Sequence, residues 1–127
     1  MNGIILVGVG SFLGGVLRYG LNTWVHRLLG GPWFPFGTLA VNALGCLAIG
    51  FLTGIAEHWT TFSSQMRLFV FVGVLGGFTT FSAFALESYA LARDTHQGAA
   101  LVNIGLQVIL GLLAVWFGHW AGQRIGA

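Results

Sequence analysis

Gly76-Gly77-Phe78-Thr79-Thr80-Phe81-Ser82-Ala83-Phe84 lies in the middle of an otherwise apolar run, where a plain membrane helix would carry leucines. Two glycines and two threonines in five positions make a poor helix. Glycine costs about 1 kcal/mol relative to alanine, and threonine is restricted at χ1. The stretch predicts a break at the centre of a helix. At membrane depth, freed backbone carbonyls persist only where protein or an aqueous cavity satisfies them, so a break there predicts a binding site or a pathway.

The rest of the chain supplies the membrane. Hydrophobic residues fill 56% of 127 positions and charged residues only 6%, against roughly 25% charge in soluble domains; mean hydropathy is +0.85. The cations are Arg18, Arg27, Arg67, Arg93 and Arg124, and the acids Glu57, Glu87 and Asp94. A basic balance resting on so few groups gives no reason to expect a nucleic-acid partner. Cys46 is the single cysteine, inside an apolar run, which excludes an internal disulfide and leaves it as a packing residue. Crossing about 30 Å of hydrocarbon takes about 20 residues. Four runs qualify: Ile4 to Leu28, Phe36 to Ala56, Met66 to Ala92 and Ala99 to Gly122. The first has no small-residue cleavage site after a short apolar core, so it reads as a retained span. Short connections leave no room for a soluble domain, and residues 1–127 read as a single four-helix transmembrane domain. Trp24, Trp33, Trp59 and Trp120 fall near span ends, as interfacial anchors do.

Orientation is normally decided by arginines in the connections. Four spans put Arg67 and Arg124 on one side and Arg27 and Arg93 on the other, a tie. Such a balance fits a chain inserted both ways, which permits an antiparallel homodimer; it also fits a chain whose free N-terminus or partner decides.

Within the spans, polar and small residues share helical faces. Ser11, Gly15, Arg18 and Asn22 form one stripe, and Thr38, Asn42, Gly45, Cys46 and Thr53 a second, interrupted by Ile49. The third holds Asn103, Gln107, Gly111, Ala114 and Gly118. Gly10/Gly14, Gly50/Gly54, Gly73/Gly77 and Gly118/Gly122 have the GxxxG spacing of close helix crossings. Asn42 suits an interhelical hydrogen bond or a pathway, and Arg18 a structural cap or an anion-drawing vestibule. Cation constrictions usually carry carboxylates, whereas only Glu87 lies within a span. Hydroxyl and amide donors at Thr38, Asn42, Thr80, Ser82, Asn103 and Gln107 fit a small anion or neutral polar solute better. Phe81 and Phe84, at i and i+3, present one face if the helix resumes after Thr80, and ring edges are electropositive. The same pair would serve a dimer interface or face lipid.

These residues carry a resemblance. The Gly76 to Phe84 stretch, Gly37-Thr38-Leu39-Ala40-Val41-Asn42, and the run from Gly10 to Tyr19 through Arg18 together resemble the bacterial Fluc (CrcB-type) fluoride channel family over the whole chain. The resemblance implies an all-α, multi-pass protein of the bacterial inner membrane, an antiparallel dual-topology homodimer with two pores. It implies passive fluoride export that confers fluoride resistance, and a structural sodium ion at the dimer centre. By the same resemblance, Asn42, Phe81, Phe84, Ser82, Thr38, Asn103 and Gln107 line the fluoride path, and the backbone carbonyls of Gly76 and Thr79 hold sodium. Arg18 keeps a structural or vestibule role, and Glu87 matches a family acid.

Ala83, Ala85 and Gly111 depart from the family's pattern of hydroxyls, so fewer hydroxyls line the expected path. The competing class is a small dual-topology multidrug or cation transporter. Proton-coupled export would need an acid in the first span, and that span has Arg18 instead. An enzyme is not expected, because no nucleophile, base and orienting group occur together and His26, His58, His96 and His119 all lie near span ends.

Overall fold

A computed structural model describes residues 2–29, 31, 33–58, 62–94 and 96–127. Four helices are long and apolar enough to cross a membrane: α1 (Gly3–Leu29), α2 (Phe36–Ala56), α3 (Ser64–Arg93) and α4 (Gln97–Gly126). They coincide with the expected spans, and α4 runs on to Gly126 rather than stopping at Gly122. No strand occurs among the described residues. Trp24, Trp33 and Trp120 are exposed near helix ends; Trp59 lies outside the described residues.

The break in α3 is real but narrower than composition suggests. Ser63 caps the helix by accepting the Met66 N–H at 3.2 Å. Leu68–Leu75 then form π-helical turns, a wide geometry that is rare and often marks functional sites. Gly76–Phe78 return to an α turn, and only Thr79 (φ −84°, ψ 157°) and Thr80 (φ −149°, ψ 112°) are extended. Phe81–Arg93 restart the helix, with Thr80 as N-cap: its Oγ1 accepts the Ala83 N–H at 3.2 Å. The two glycines are therefore helical. Gly77 is needed for packing, because a β-carbon there would sit 2.6 Å from the Ser11 carbonyl oxygen of α1.

Every glycine of the four GxxxG pairs lies at a backbone-to-backbone crossing. A β-carbon on Gly10 would come within 2.9 Å of the Gly73 Cα, and Gly14 lies against Val74 and Phe78, so α1 seats on the first half of α3. Gly50 and Gly54 of α2 lie against Val115 and Gly122, while Gly118 and Gly122 of α4 lie against Leu47 and Phe51. In lipid no hydrophobic force drives helices together, so close van der Waals contact through small residues must do so. The second half of α3 packs on α4, where fully buried Asn103 donates to Ser88 Oγ at 2.9 Å. The chain thus forms two tight helix pairs, α1 with α3 and α2 with α4, joined at the break.

Candidate functional site

The join is made by side chains of α2 and α4 reaching the extended residues of α3. Thr80 N–H, released from the helical ladder, donates to Asn42 Oδ1 at 2.8 Å. A backbone N–H can only donate, so this contact fixes which end of the Asn42 carboxamide is oxygen. Asn42 Nδ2 then donates to the Thr80 carbonyl and to Gln107 Oε1, each at 3.1 Å. Gln107 is oriented in turn. Its oxygen faces Asn42, and its Nε2 is buried with no acceptor among the described residues.

A cavity of about 410 Å³ opens beside this junction. Asn42, Gln107, Phe81, Phe84, Gly76 and Thr79 all line it. The Phe81 and Phe84 rings stand 5.4 Å apart at 67°, edge to face. Phe81 is 78% exposed, although aromatic side chains of this size usually seek cover. No charged side chain lines this cavity among the described residues. An unpaired buried N–H costs roughly 1–3 kcal/mol, so Gln107 Nε2 gains from any acceptor that reaches it.

The same hydrogen bonds free particular carbonyls. In a continuous helix, Gly76 would accept from the Thr80 N–H and Thr79 from the Ala83 N–H. The first donor goes to Asn42 Oδ1 and the second to Thr80 Oγ1. The Thr79 N–H and hydroxyl both turn back to the Leu75 carbonyl, each at 3.1 Å. Gly45 of α2 makes room for the Thr79 methyl group. Gly76 is exposed on the stretch of α3 that lines this cavity. These oxygens suit a hard cation, which prefers oxygen ligands.

A second cavity, about 460 Å³, lies on the other side of the junction, with Thr80 lining both. Here Thr38 and Ser82 meet Arg18, Asn22, Ala83 and Glu87. Thr38 donates its hydroxyl to Glu87 Oε1 at 2.6 Å, while Glu87 Oε2 is buried without a partner. Arg18 and Glu87 share the cavity without forming an ion pair. The expected path residues therefore divide: Asn42, Gln107, Phe81 and Phe84 on one side, Thr38, Ser82 and Arg18 on the other. Asn103 joins neither group; it is buried between α3 and α4 against Ser88.

One cluster was not foreseen. Glu57 at the end of α2 accepts from Gln123 Nε2 at 2.8 Å and lies 3.4 Å from His119 Nε2, tying α2 to α4. His119 and Gln123 are spaced i and i+4, which puts them on one face. The partner on another helix is what linear reading lacks.

A family profile described as "CrcB-like protein, Camphor Resistance (CrcB)" matches residues 5–119. A protein of Rhizobium meliloti named "Fluoride-specific ion channel FluC" is 47% identical over 118 residues, covering 93% of this chain and 94% of the relative. One of the same name from Parabacteroides distasonis is 43% identical over 122 residues, 96% and 94% of the two chains. A third, from Chloroflexus aurantiacus, is 39% identical over 126 residues, 99% of each.

Proposed function

Since this chain belongs to the CrcB-like family, we propose that it is a fluoride-specific channel of the bacterial inner membrane, through which fluoride leaves the cell passively and which thereby confers fluoride resistance. The observation that carries this reading is the buried, acceptor-less Nε2 of Gln107, a residue that lines one cavity with Phe81 and Phe84. A small anion fits that setting chemically. It accepts from the amide N–H and meets the electropositive ring edges, and no carboxylate opposes it. Asn42 holds the arrangement rather than completing it, because both of its N–H groups are engaged by Thr80 and Gln107.

Stripping fluoride of water requires donors along the whole route. Ser82 and Arg18 offer them on the far side of Thr80, in a cavity large enough for several waters at roughly 30 Å³ each, while the O–H of Thr38 is committed to Glu87. Ala83 contributes a methyl group there, so fewer hydroxyls line this chain's path. Asn103 is assigned a supporting part, holding the second half of α3 through Ser88.

The pores are completed by a second copy in antiparallel orientation, giving two per dimer. Exposure of Phe81 and of Gly76 on one face supports this, as does the tied arginine count. Two-fold symmetry would bring the Gly76 and Thr79 carbonyls of both copies together. When bound there, sodium supplies a positive centre that ties the copies and favours an anion nearby. Gly76 and Thr79 would hold it through backbone carbonyls alone, freed because the Thr80 and Ala83 N–H groups go to Asn42 and Thr80 side chains.

The test is fluoride release from potassium-loaded proteoliposomes on addition of valinomycin, read with a fluoride electrode. Rapid release is expected. Proton-dependent drug uptake with no fluoride release would replace this reading with a small multidrug transporter.

A further inference from the structure

The end of the bundle where α2 gives way to α3 brings two opposite charges to one cavity. Glu57 is the C-cap of α2 and Arg67 lies in the first turn of α3. Both line a space of about 760 Å³, with Ala56, Leu68, Phe71 and Val72 as its apolar wall. That volume falls within the range of small-molecule sites, roughly 300–1,000 Å³. Arg67 is exposed and forms no ion pair among the described residues, with Glu57 or any other acid. Glu57 is held from one side only. Its Oε2 accepts from Gln123 Nε2 at 2.8 Å, which fixes the carboxylate. Its Oε1 lies 3.4 Å from His119 Nε2, beyond the roughly 2.7–2.9 Å of a full charge-assisted bond, so that oxygen has room for a further donor. The level is a membrane interface. On α4, Arg124 lies over the Trp120 ring at 5.2 Å, and an exposed tryptophan beside an arginine marks the headgroup layer. From that level the exposed Leu68 and Val72 carry the apolar wall into the depth of the span.

We propose that this cavity binds a zwitterionic phospholipid with a primary ammonium headgroup, of the phosphatidylethanolamine class. The Arg67 guanidinium takes the phosphate, which its planar fork of donors matches. Glu57 Oε1 takes the ammonium, and an acyl chain lies along Leu68 and Val72. Charge complementarity selects this occupant. A choline headgroup has no N–H for Glu57, a glycerol headgroup brings no cation, and free phosphate has no chain for the apolar wall. The carboxylate thus discriminates among headgroups instead of opposing the ligand. The site does not depend on the fluoride reading. Phe71 also lines the cavity of Gln107, so a bound lipid abuts the π-helical turns that lead to the break in α3.

Native mass spectrometry of the full chain in detergent tests the proposal, with titration by phosphatidylethanolamine, phosphatidylcholine and phosphatidylglycerol of one acyl composition. Wild type is expected to bind phosphatidylethanolamine about tenfold more tightly than the other two, the worth of one hydrogen bond to a charged group. Arg67→Gln should weaken all three about tenfold, because all share the phosphate. Glu57→Gln should remove the preference for phosphatidylethanolamine and leave phosphatidylcholine binding unchanged, a split that a packing role would not produce. Glutamine keeps an acceptor for Gln123; should that variant not be recovered folded, Arg67→Gln and the headgroup series decide alone. Equal binding of the three lipids by wild type overturns the proposal. Tightest binding of phosphatidylglycerol also overturns it, since that marks an arginine–anion contact without Glu57. A preference that survives in both variants places the lipid elsewhere and overturns it too. So does a disulfide between two copies of the Cys46→Ala, Val72→Cys protein formed in the presence of phosphatidylethanolamine, because a second chain then covers the wall.

Discussion

At the scale of single residues, Asn42 and Gln107 have separable duties. Asn42 is saturated within the chain, accepting from Thr80 N–H and donating to Thr80 and Gln107. Gln107 has a buried N–H group left over. Gln107→Leu should therefore reduce fluoride efflux about tenfold, the cost of a hydrogen bond to a charged group, with only a small loss of thermal stability, because Asn42 loses one acceptor but keeps both bonds to Thr80. Asn42→Leu should lower both efflux and stability, because it also unties Thr80. A thermal melt beside the electrode assay separates the two variants. Phe81→Ile and Phe84→Ile should abolish efflux while the protein still elutes as wild type does, since aliphatic groups keep most of the volume but lose the electropositive edge. Full transport by both would remove the rings from the mechanism.

At the scale of the helix, the decisive element is the interruption of α3. Its two extended residues are stabilised from both sides, by the Thr80 cap and by the Asn42 carboxamide. Thr80→Val deletes the cap. It should cost about 1 kcal/mol and return the Ala83 N–H to the Thr79 carbonyl, so that any stabilisation by sodium in a thermal melt shrinks or vanishes. The GxxxG crossings make a further prediction. Gly118→Ala puts a methyl group against the Leu47 carbonyl and Phe51 amide of α2, and such overpacking costs about 1–3 kcal/mol. It should lower the unfolding temperature in detergent and leave the fluoride selectivity of the surviving protein unchanged. Composition signalled the interruption correctly but attributed it to glycines and threonines alike. The threonines alone leave the helix; the glycines stay helical because α1 needs their missing side chains.

At the scale of the whole molecule, two helix pairs meet at one polar junction, and a wide apolar surface remains around them. Part of that surface faces lipid. The face bearing Phe81 and Gly76 is the one the proposed dimer would use: it holds a freed carbonyl and a ring pair on a cavity shared with Gln107. With Arg67 and Arg124 on one side and Arg27 and Arg93 on the other, no charge bias selects an orientation. Epitope tags at either terminus should be accessible from both sides of the membrane in comparable amounts. One-sided accessibility would exclude the dual-topology dimer.

Local sequence determined the membrane class, the four spans, the close crossings and the place of the interruption, because hydropathy and glycine spacing act over neighbouring residues and register in composition. It also put Thr38, Asn42 and Gln107 on polar faces, since helical periodicity alone decides which positions align. Only the tertiary structure decided how those faces are used. It closed Asn42 onto Thr80, left Gln107 with a free N–H, and set Asn103 apart against Ser88. It moved Thr38, Ser82 and Arg18 into a second cavity, where Asn22 joined them. The reason is that a hydrogen bond has a direction and a single recipient. Which donor remains unpaired depends on residues 38 and 65 positions apart in the chain, brought together by packing.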